Sequence, residues 1–338
     1  MPPSPRRATL ATVAASAGVS VATVSKVLNG RSDVAPATRS LVQSLLRQHD
    51  YVAPSPRRGE PAALGTVELQ FDTDINAYST EIIQGTVMAG AELGVGVVVS
   101  IRGSDERTAA WARNLVAAGR RALIAVTSEL STGQLTELSR AQLPLVVIDP
   151  LNLPRARVTS IGSTNFAGGF TATQHLLSLG HRRIAYIGGP ASAACNQARL
   201  HGYRAAMEAD GTPVLPGYVQ TGHFRYQDGL TGAVAVLDLP HAPTAIFAGS
   251  DETAFGVMEA ARARGLRIPE DLSIVGFDDT QIAQMASPPL TTVRQPLREM
   301  GSVALRTALR VAAGEPIDSH HVELATELIV RGSTAPAA

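Results

Sequence analysis

Residues 9–30, TLATVAASAGVSVATVSKVLNG, constrain the fold more than any other part of this 338-residue chain. Apolar residues at helical spacing predict two short helices, from Leu10 to about Ala17 and from Val21 to about Asn29. Gly18 can supply the left-handed turn between them, and Ser20 can cap the second helix through its hydroxyl. This pattern predicts a helix-turn-helix.

A third helix is predicted to start at Pro36, a residue suited to the first helical position. The apolar residues predicted to meet between the three helices are Leu10, Val13, Ala14, Val24, Val27, Leu28, Leu41, Val42, Leu45 and Leu46. The outward face of the second helix then holds Val21, Ala22, Ser25, Lys26 and Asn29. This face is small and polar and has one basic side chain, which suits the DNA major groove.

The charge of the chain is divided unevenly, although its formal net charge is zero. Residues 1–60 carry eight Arg or Lys against three acidic residues, a net charge of +5. The other 278 residues carry 21 basic and 26 acidic residues, a net charge of −5. A basic head on an acidic body indicates that the head is the surface for a polyanion.

Each outward residue of the head suggests a type of DNA contact. Lys26, the only lysine of the chain, can donate to guanine O6 and N7, and Val21 and Ala22 can touch thymine methyl groups. Ser20, Thr23 and Arg39 are better placed for phosphates. The alternative is a small helical bundle without a ligand.

The predicted helix-turn-helix segment resembles the LacI/GalR family of bacterial transcription regulators. The resemblance is carried by Val13-Ala14, Ala17-Gly18-Val19-Ser20, Thr23 to Asn29, Val34, Thr38-Arg39 and Tyr51. Thr12 stands where the family usually has an acidic residue and Ala35 where it has serine, and each change weakens a helix cap by about 1 kcal/mol. The predicted DNA-contacting residues are Thr9, Leu10, Ser20, Val21, Ala22, Thr23, Ser25, Lys26, Asn29, Arg39, Tyr51, Arg57 and Arg58.

The linker after Tyr51 departs from the family. The resemblance implies a short hinge helix that inserts a leucine into the minor groove, but here three prolines and a glycine within eight residues oppose a helix, and no leucine precedes Leu64. One hypothesis is that Arg57 and Arg58 enter or line a narrow minor groove instead. The alternative is a disordered basic linker that touches phosphates.

From Val67 onward, short apolar runs alternate with helical patterns. The strand-like runs include VELQF, VGVVVS, RALIAVT and LPLVVID, and helices are predicted near 80–93, 106–118, 134–141, 166–179, 194–210 and 251–264. This βαβ rhythm predicts parallel sheets covered by helices in two lobes, with ligands at the carboxyl ends of the strands.

The LacI/GalR resemblance continues over the body, in LGHRRIA at 179–185, GGP at 188–190, PTAIF at 243–247, PEDLSIVGFDD at 269–279 and PLTTV at 289–293. It implies a two-lobed periplasmic-binding-protein-like core, a homodimer, and three crossings between the lobes, near Ile161–Thr164, Ser287–Thr291 and His320–Val322.

The predicted domains are a helix-turn-helix domain at 1–50, a linker at 51–63, an N-terminal lobe at 64–161 with 290–320, and a C-terminal lobe at 162–289 with 321–338.

The resemblance also implies an effector site between the lobes. Arg199 stands at the family's effector-binding arginine, whose planar fork suits paired hydroxyls or a carboxylate; the alternative is an interlobe salt bridge. Asp149 and Asp278 end buried strands, where a carboxylate can accept from sugar hydroxyls. Phe224 matches an aromatic on which a sugar ring stacks, with core packing as the alternative. The predicted effector-binding residues are Asp72, Tyr78, Asp149, Arg199, Phe224, Ser250, Asp251 and Asp278.

Two positions in this region have competing interpretations. Ser250 stands where the family usually has asparagine, so the resemblance does not imply the family's hydrogen bond to the effector at this position. Asp279, directly after Asp278, could instead be a helix N-cap, which is a purely structural role rather than a ligand contact.

Enzymatic activity is not expected. The chain lacks GxGxxG after a strand, GxxxxGK[ST], GxSxG and HExxH, and no cofactor is implied. His320 and His321 are adjacent, so on a strand they point to opposite faces and are expected to be exposed rather than to bind a metal. Cys195 is the single cysteine, which excludes an internal disulfide; a buried filler is favoured over a redox residue.

The sequence therefore predicts a cytoplasmic, homodimeric regulator, a repressor that binds double-stranded operator DNA and responds to a small sugar. No apolar run reaches the roughly 18 residues of a membrane span, and no apolar signal-peptide stretch follows Arg6 and Arg7. One alternative is a regulator that senses a nucleobase or another non-sugar metabolite. The other is a plain sugar-binding protein, which would not need residues 9–48.

Overall fold

The computed structural model describes residues 10–28, 34–48, 65–72, 74–102, 110–152 and 158–337. The chain divides into two compact units, Met1–Ala62 and Ala63–Ala338. No helix in these described ranges is long and apolar enough to cross a membrane.

The first unit contains the three predicted helices, α1 (Leu10–Ala17), α2 (Val21–Leu28) and α3 (Pro36–Gln48). Gly18 adopts a left-handed φ of +65° between α1 and α2, and Ser20 Oγ accepts a hydrogen bond from the Thr23 amide at 3.2 Å. The turn and the second cap are therefore confirmed. Thr9, which precedes α1, lies outside the described residues.

The core of this unit is built mainly from valines at helical spacing. Its fully buried members are Val13, Ala14, Val24, Val27 and Val42. Leu45 and Leu46 pack against them, but the prediction that Leu41 is buried was wrong, since Leu41 is 48% exposed. On α3, Val42, Leu45 and Leu46 form the inward stripe and Leu41 lies beside it. The side chains of Leu10 and Leu28 lie outside the described residues.

The second unit contains two six-stranded sheets. The first sheet, with its helices, is called the N-terminal lobe. Its strands are β1 (Thr66–Phe71), β2 (Gly96–Ile101), β3 (Arg120–Val126), β4 (Leu145–Ile148), β5 (Thr159–Ser163) and β11 (His321–Leu324). They lie in the order β11-β5-β4-β3-β1-β2, all parallel. Its helices are α4 (Ala77–Leu93), α5 (Trp111–Ala117), α6 (Thr132–Arg140) and α12 (Leu297–Ala312).

The second sheet, with its helices, is called the C-terminal lobe. Its strands are β6 (Ile184–Ile187), β7 (Val219–Gln220), β8 (Ala245–Ala248), β9 (Ser273–Asp278), β10 (Thr291–Arg294) and β12 (Glu327–Ile329). The order is β12-β10-β9-β8-β6-β7, with only β12 antiparallel to its neighbour among the described strands. Its helices are α7 (Asn165–Ser178), α8 (Ala194–Ala209), α9 (Tyr226–Leu237), α10 (Asp251–Ala263) and α11 (Gln281–Met285).

The chain crosses between the lobes later than the sequence predicted at two of three points. The first crossing follows β5, as expected. The second was predicted at Ser287–Thr291, but β10 pairs with β9 over four residues, so the chain leaves the C-terminal lobe only after Arg294. The third was predicted at His320–Val322, but β11 pairs with β5, so the chain leaves the N-terminal lobe only after Leu324.

These pairings change the predicted lobe boundaries. Strand β10, assigned to the N-terminal lobe within 290–320, belongs to the C-terminal sheet, and β11, assigned to the C-terminal lobe within 321–338, belongs to the N-terminal sheet. The physical reason is burial: Thr291, Thr292 and Val293 are enclosed in the second sheet, where their backbone groups find partners on β9.

Candidate functional site

A cavity of about 260 Å³ lies between the two lobes of the second unit. One wall comes from the start of α4 and from the ends of β3 and β4, and the other from α8 and from the ends of β8 and β9. This is the carboxyl edge of both sheets, where ligands bind in open parallel sheets. Of the eight predicted effector-binding residues, six line it: Tyr78, Asp149, Arg199, Phe224, Ser250 and Asp278.

The N-terminal wall is organised around Asp149, directly after β4. Tyr78, in the first turn of α4, donates its phenolic hydroxyl to Asp149 Oδ2 at 2.6 Å. Burial raises the pKa of the Asp149 carboxyl, and the bond from Tyr78 and the nearby Arg199 oppose that rise. The pKa of Tyr78 lies well above its usual range because the phenol is buried beside this carboxyl.

The opposite wall contains a buried cation. Arg199 on α8 is 4% exposed, and its Nε donates to Asn165 Oδ1 at 2.7 Å while its Nη1 donates to the Gly249 carbonyl at 2.6 Å. Its guanidinium carbon lies 3.8 Å from the centre of the Phe277 ring. The nearest carboxylate is Asp278, with Nη1 and Oδ1 4.0 Å apart. This ion pair lies within one lobe, and among the described residues Arg199 forms no salt bridge to the other lobe.

Asp278 ends β9 and faces both the cavity and the crossing segment. Burial raises the pKa of its carboxyl well above the usual range, with Arg199 acting in the opposite direction. Gln295 donates its side-chain amide to Asp278 Oδ1 at 2.6 Å. Desolvation thus favours the neutral acid at this wall, and a ligand that donates hydrogen bonds would favour the carboxylate.

Phe224 and Ser250 adjoin each other at the entrance of the C-terminal wall. Phe224 is half-buried, its ring lies 5.3 Å from the Arg199 guanidinium, and a side chain at Gly189 would collide with it. Ser250 caps α10 by accepting from the Thr253 amide at 3.1 Å, and its hydroxyl donates to the Phe224 carbonyl at 3.0 Å. The hydroxyl of Ser250 is therefore engaged in local structure.

Two predicted effector-binding residues do not line the cavity. Asp72 accepts from Ser128 Oγ at 2.8 Å and forms an ion pair with Arg102 inside the N-terminal lobe. Asp251 is buried at the start of α10 and accepts from the Thr280 amide at 2.7 Å, the Thr280 hydroxyl at 3.0 Å and the Thr292 hydroxyl at 2.5 Å. Both carboxylates have their acceptor positions occupied by neighbouring donors, which keeps them away from the cavity.

Asp279 is not the helix N-cap that the sequence suggested as one alternative. It forms ion pairs with Arg294 at 2.7 Å and with Arg331 at 2.5 Å, and Thr280 occupies the N-cap position of α11.

Sequence reasoning missed a contact across the mouth of the cavity. Asn76 caps α4 with its side-chain oxygen, which accepts from the Ser79 amide at 3.0 Å, and donates its amide nitrogen to Glu252 Oε2 on α10 at 3.3 Å. Both residues line the cavity. The spacing of Asn76 and Ser79 is a capping-box signal that could have located Asn76, but no local pattern indicates its partner on the other lobe.

Four residues of the cavity wall have a positive φ that side chains rarely adopt: Thr127 at 46°, Asp149 at 45°, Phe224 at 64° and Asp278 at 119°. Such conformations persist only where the surrounding structure imposes them, and they concentrate at functional sites. Their occurrence on both walls supports a binding function for the cavity.

Cys195 also lines the cavity, and burial raises the pKa of its thiol to about 11. The thiol is therefore protonated at neutral pH and is a poor nucleophile there.

His320 and His321 contact β5. The Nδ1 atoms lie 3.2 Å from Thr159 Oγ1 and 3.0 Å from Ser160 Oγ, respectively. Within the described residues, no group of three His, Cys, Asp or Glu side chains could hold a metal ion.

On the first unit, α2 presents an exposed face. Val21 is 47% exposed, and Lys26 is exposed in the last turn. The hydroxyls of Ser20 and Thr23 lie 2.9 Å apart at the start of the helix, and Arg39 is half-buried on α3. The other predicted contacts cannot be placed: Thr9, Asn29, Tyr51, Arg57 and Arg58, and the side chains of Leu10, Ala22 and Ser25, lie outside the described residues.

Comparison with known proteins matches this arrangement over nearly the whole chain. Residues 9–54 match the family described as bacterial regulatory proteins, lacI family, and residues 173–334 match a periplasmic binding protein-like domain. The regulator DegA of Bacillus subtilis is 33% identical over 340 residues, covering 98% of this chain and 99% of DegA. The chain belongs to the lacI family. The regulator CelR of Thermobifida fusca is also similar, at 35% identity over 97% of this chain and 98% of CelR.

Solved structures of the lacI family share the fold. A CelR–cellobiose complex superposes with a TM-score of 0.73 at 33% identity, covering 97% of this chain and all of that one. A lac repressor dimer bound to operator and an anti-inducer gives a TM-score of 0.72 at 27% identity, covering 98% of this chain and all of that one. These likenesses confirm the predicted fold class, a helix-turn-helix domain followed by a two-lobed core with parallel sheets.

Proposed function

We propose that this lacI-family regulator is a cytoplasmic repressor that binds operator DNA as a homodimer, and that a small sugar in the interlobe cavity controls this binding. The observation that carries the proposal is the cavity itself. Asp149 on one lobe faces Arg199 and Asp278 on the other, with the ring of Phe224 beside them. Hydrogen-bonding groups on both lobes around an aromatic face suit a polyhydroxylated ring.

The charges of the cavity favour a neutral ligand. Asp149, Asp278 and Glu252 line it together with two arginines, Arg199 and Arg225. Arg199 already donates to Asn165 and to the Gly249 carbonyl. Sugar hydroxyls can donate hydrogen bonds to these carboxyl groups and can accept them from the guanidinium groups. The cellobiose complex of CelR and a 27% identical family structure with bound ribose agree with this choice.

A ligand that touches both lobes can act on DNA binding by changing the angle between them. In a homodimer the two recognition helices would read a palindromic operator about 34 Å apart, one helical turn of DNA. If the sugar alters operator affinity, operator DNA must alter sugar affinity by the same factor.

A mobility-shift assay on the DNA upstream of the protein's own coding region tests this function. The assay is repeated with a panel of neutral sugars that includes cellobiose and D-ribose. We expect a specific shift that at least one sugar strengthens or weakens. If no nearby promoter fragment shifts, the proposal that this protein regulates transcription at these promoters is wrong. If a shift occurs that only a nucleobase or a phosphorylated sugar alters, the proposed DNA-binding function is supported and the proposed ligand class is wrong.

Lys26 is proposed as the main polar base contact of α2. Replacing Lys26 with alanine should weaken operator binding by at least about 5- to 150-fold at constant salt, since each good contact to guanine contributes about 1–3 kcal/mol and a homodimer makes two of them. The measurement is a titration of operator and of unrelated DNA of equal length, and unrelated DNA should lose only the small contribution of one charge.

The matched control is Lys26→Arg, which keeps the charge and can also donate twice to guanine. It should bind the operator within a few-fold of wild type. Equal losses on operator and unrelated DNA in Lys26→Ala would instead show that Lys26 contacts a phosphate.

A further inference from the structure

A closed ring of polar contacts lies directly behind the C-terminal wall of the cavity. Ser163 Oγ donates to Gln295 Oε1 at 2.5 Å, and Gln295 Nε2 donates to Asp278 Oδ1 at 2.6 Å. Asp278 lies 4.0 Å from Arg199, which donates to Asn165 Oδ1 at 2.7 Å. Asn165 Nδ2 donates to the Ser163 carbonyl at 3.0 Å and closes the ring. All five side chains are buried.

The ring joins the cavity to the crossings between the lobes. Arg199 and Asp278 line the cavity. Ser163 and Asn165 flank the first crossing, at the end of β5 and the start of α7, and Gln295 begins the second crossing, directly after β10. The two cavity residues are thus hydrogen-bonded, through single side chains, to the segments about which the lobes must move.

The third crossing is connected as well. Thr164, between Ser163 and Asn165, lies with its hydroxyl 2.9 Å from the hydroxyl of Thr326 and accepts from the Thr326 amide at 3.0 Å. Thr326 lies between β11 and β12, where the chain crosses for the last time. A displacement at Ser163 would therefore reach all three crossings.

Gln295 bridges two members of the ring with one side-chain amide. Its amide accepts from Ser163 with the oxygen and donates to Asp278 with the nitrogen, so its orientation is determined by both neighbours. A ligand that forms a hydrogen bond with Asp278 competes with Gln295 for the same carboxyl group. Because all five side chains of the ring are buried, a change in one of its bonds must be compensated mainly by the other members of the ring.

We propose that Gln295 is a positioning residue that couples occupancy of the cavity to the crossings between the lobes. It lies outside the cavity and is hydrogen-bonded both to Asp278 in the cavity wall and to Ser163 at the first crossing. The proposal rests on the proposed function for the cavity. It adds that this residue, which does not line the cavity, sets how strongly a bound sugar changes operator affinity.

The test compares full-length wild type with Gln295→Met, which keeps the length of the side chain and removes both hydrogen bonds. Gln284→Met, the same change at an exposed position on α11, is the matched control. Operator affinity is measured without sugar and with saturating cellobiose or D-ribose, and sugar affinity is measured separately. Amide hydrogen exchange of the sugar-free proteins is followed in residues 159–166 and 291–298.

Sugar changes the operator affinity of wild type by a certain factor, and such coupling factors are usually about 5- to 150-fold. We expect Gln295→Met to bring this factor at least about fivefold closer to one. Operator affinity without sugar should stay within threefold of wild type. The rate of amide hydrogen exchange in residues 159–166 should rise at least about tenfold, although these residues are far from Gln295 in sequence. Gln284→Met should change none of these quantities.

An unchanged ratio, or unchanged exchange in residues 159–166, would overturn the proposal, and a lower melting temperature alone would assign Gln295 a purely structural role. If Gln295→Met does not fold, Ser163→Ala removes only the bond at the first crossing and should reduce the ratio partially. If no sugar affects wild type, the proposed function fails; exchange in residues 159–166 then decides whether the ring links the crossings.

Discussion

Replacing Arg199 with methionine should abolish the response to sugar and lower the free energy of unfolding by about 3–5 kcal/mol, the usual cost of removing one partner from a buried ion pair. Methionine fills much of the arginine volume, so the loss comes from polar groups rather than from a cavity. The Asn165 oxygen and the Gly249 carbonyl would lose their donor, and Asp278 would lose its nearest cation.

The change is measured by denaturant unfolding and by operator titration with and without sugar. Arg204→Met is the matched control, because Arg204 lies on the same helix and is exposed. It should change the free energy of unfolding by less than about 0.5 kcal/mol and leave the sugar response intact. An Arg199→Met protein that still responds to sugar would remove Arg199 from the proposed site.

The helix-turn-helix could be predicted from the sequence because its determinants are local. The left-handed Gly18, the Ser20 cap and the apolar spacing of Val24 and Val27 all act within one or two turns of helix. Leu41 shows the limit of this reasoning. Its spacing from Leu45 predicts a shared face, but which edge of that face is covered depends on how α3 packs against α1 and α2.

The residues that line the cavity could be predicted only in part, and the four candidate carboxylates show why. Asp149 and Asp278 end buried strands, and the carboxyl edges of both sheets meet at the cavity. Asp72 and Asp251 lie at similar sheet edges, but donors from Ser128, Arg102, Thr280 and Thr292 occupy their carboxylates. These donors come from elements distant in sequence, so no local pattern distinguishes a carboxylate that faces the cavity from one engaged within its lobe.

The crossings were mislocated for a similar reason. Strands β10 and β11 are short, and their residues do not show which sheet they join. Pairing of Thr291–Arg294 with β9, and of His321–Leu324 with β5, decides this. The second crossing therefore begins at Gln295, which brings this glutamine against Asp278 and makes the ring of contacts possible.

Asp251 should make the protein less stable as the pH rises from about 4 to 7. Burial raises the pKa of its carboxyl to about 7 from the ordinary 3.8. Between these values the folded chain holds a proton that the unfolded chain has released, so the free energy of unfolding falls as the pH rises. At about 1.4 kcal/mol per pH unit, the full loss above pH 7 is on the order of 4 kcal/mol.

Asp251→Asn should remove this loss, because asparagine resembles the protonated acid. Its oxygen can accept from both Thr280 donors and its nitrogen can donate to the Thr292 hydroxyl. The variant should match wild type near pH 4 and exceed its free energy of unfolding by up to about 4 kcal/mol at pH 8. Denaturant unfolding across this range measures the difference.

The difference between the two proteins is the informative quantity, because other groups titrate in the same range. Burial lowers the pKa of His175 and His181, so the unfolded chain binds their protons first and these histidines make the folded state more stable as the pH rises toward 6.5. The contribution of the two histidines is common to both proteins and cancels in the comparison. The contribution of Asp278 does not cancel, because its pKa is raised by burial and also by the nearby Asp251. A difference that stays constant with pH would show that Asp251 does not titrate in this window. A variant less stable than wild type at pH 8 would show that the three donors to Asp251 outweigh its desolvation and keep the carboxylate ionised.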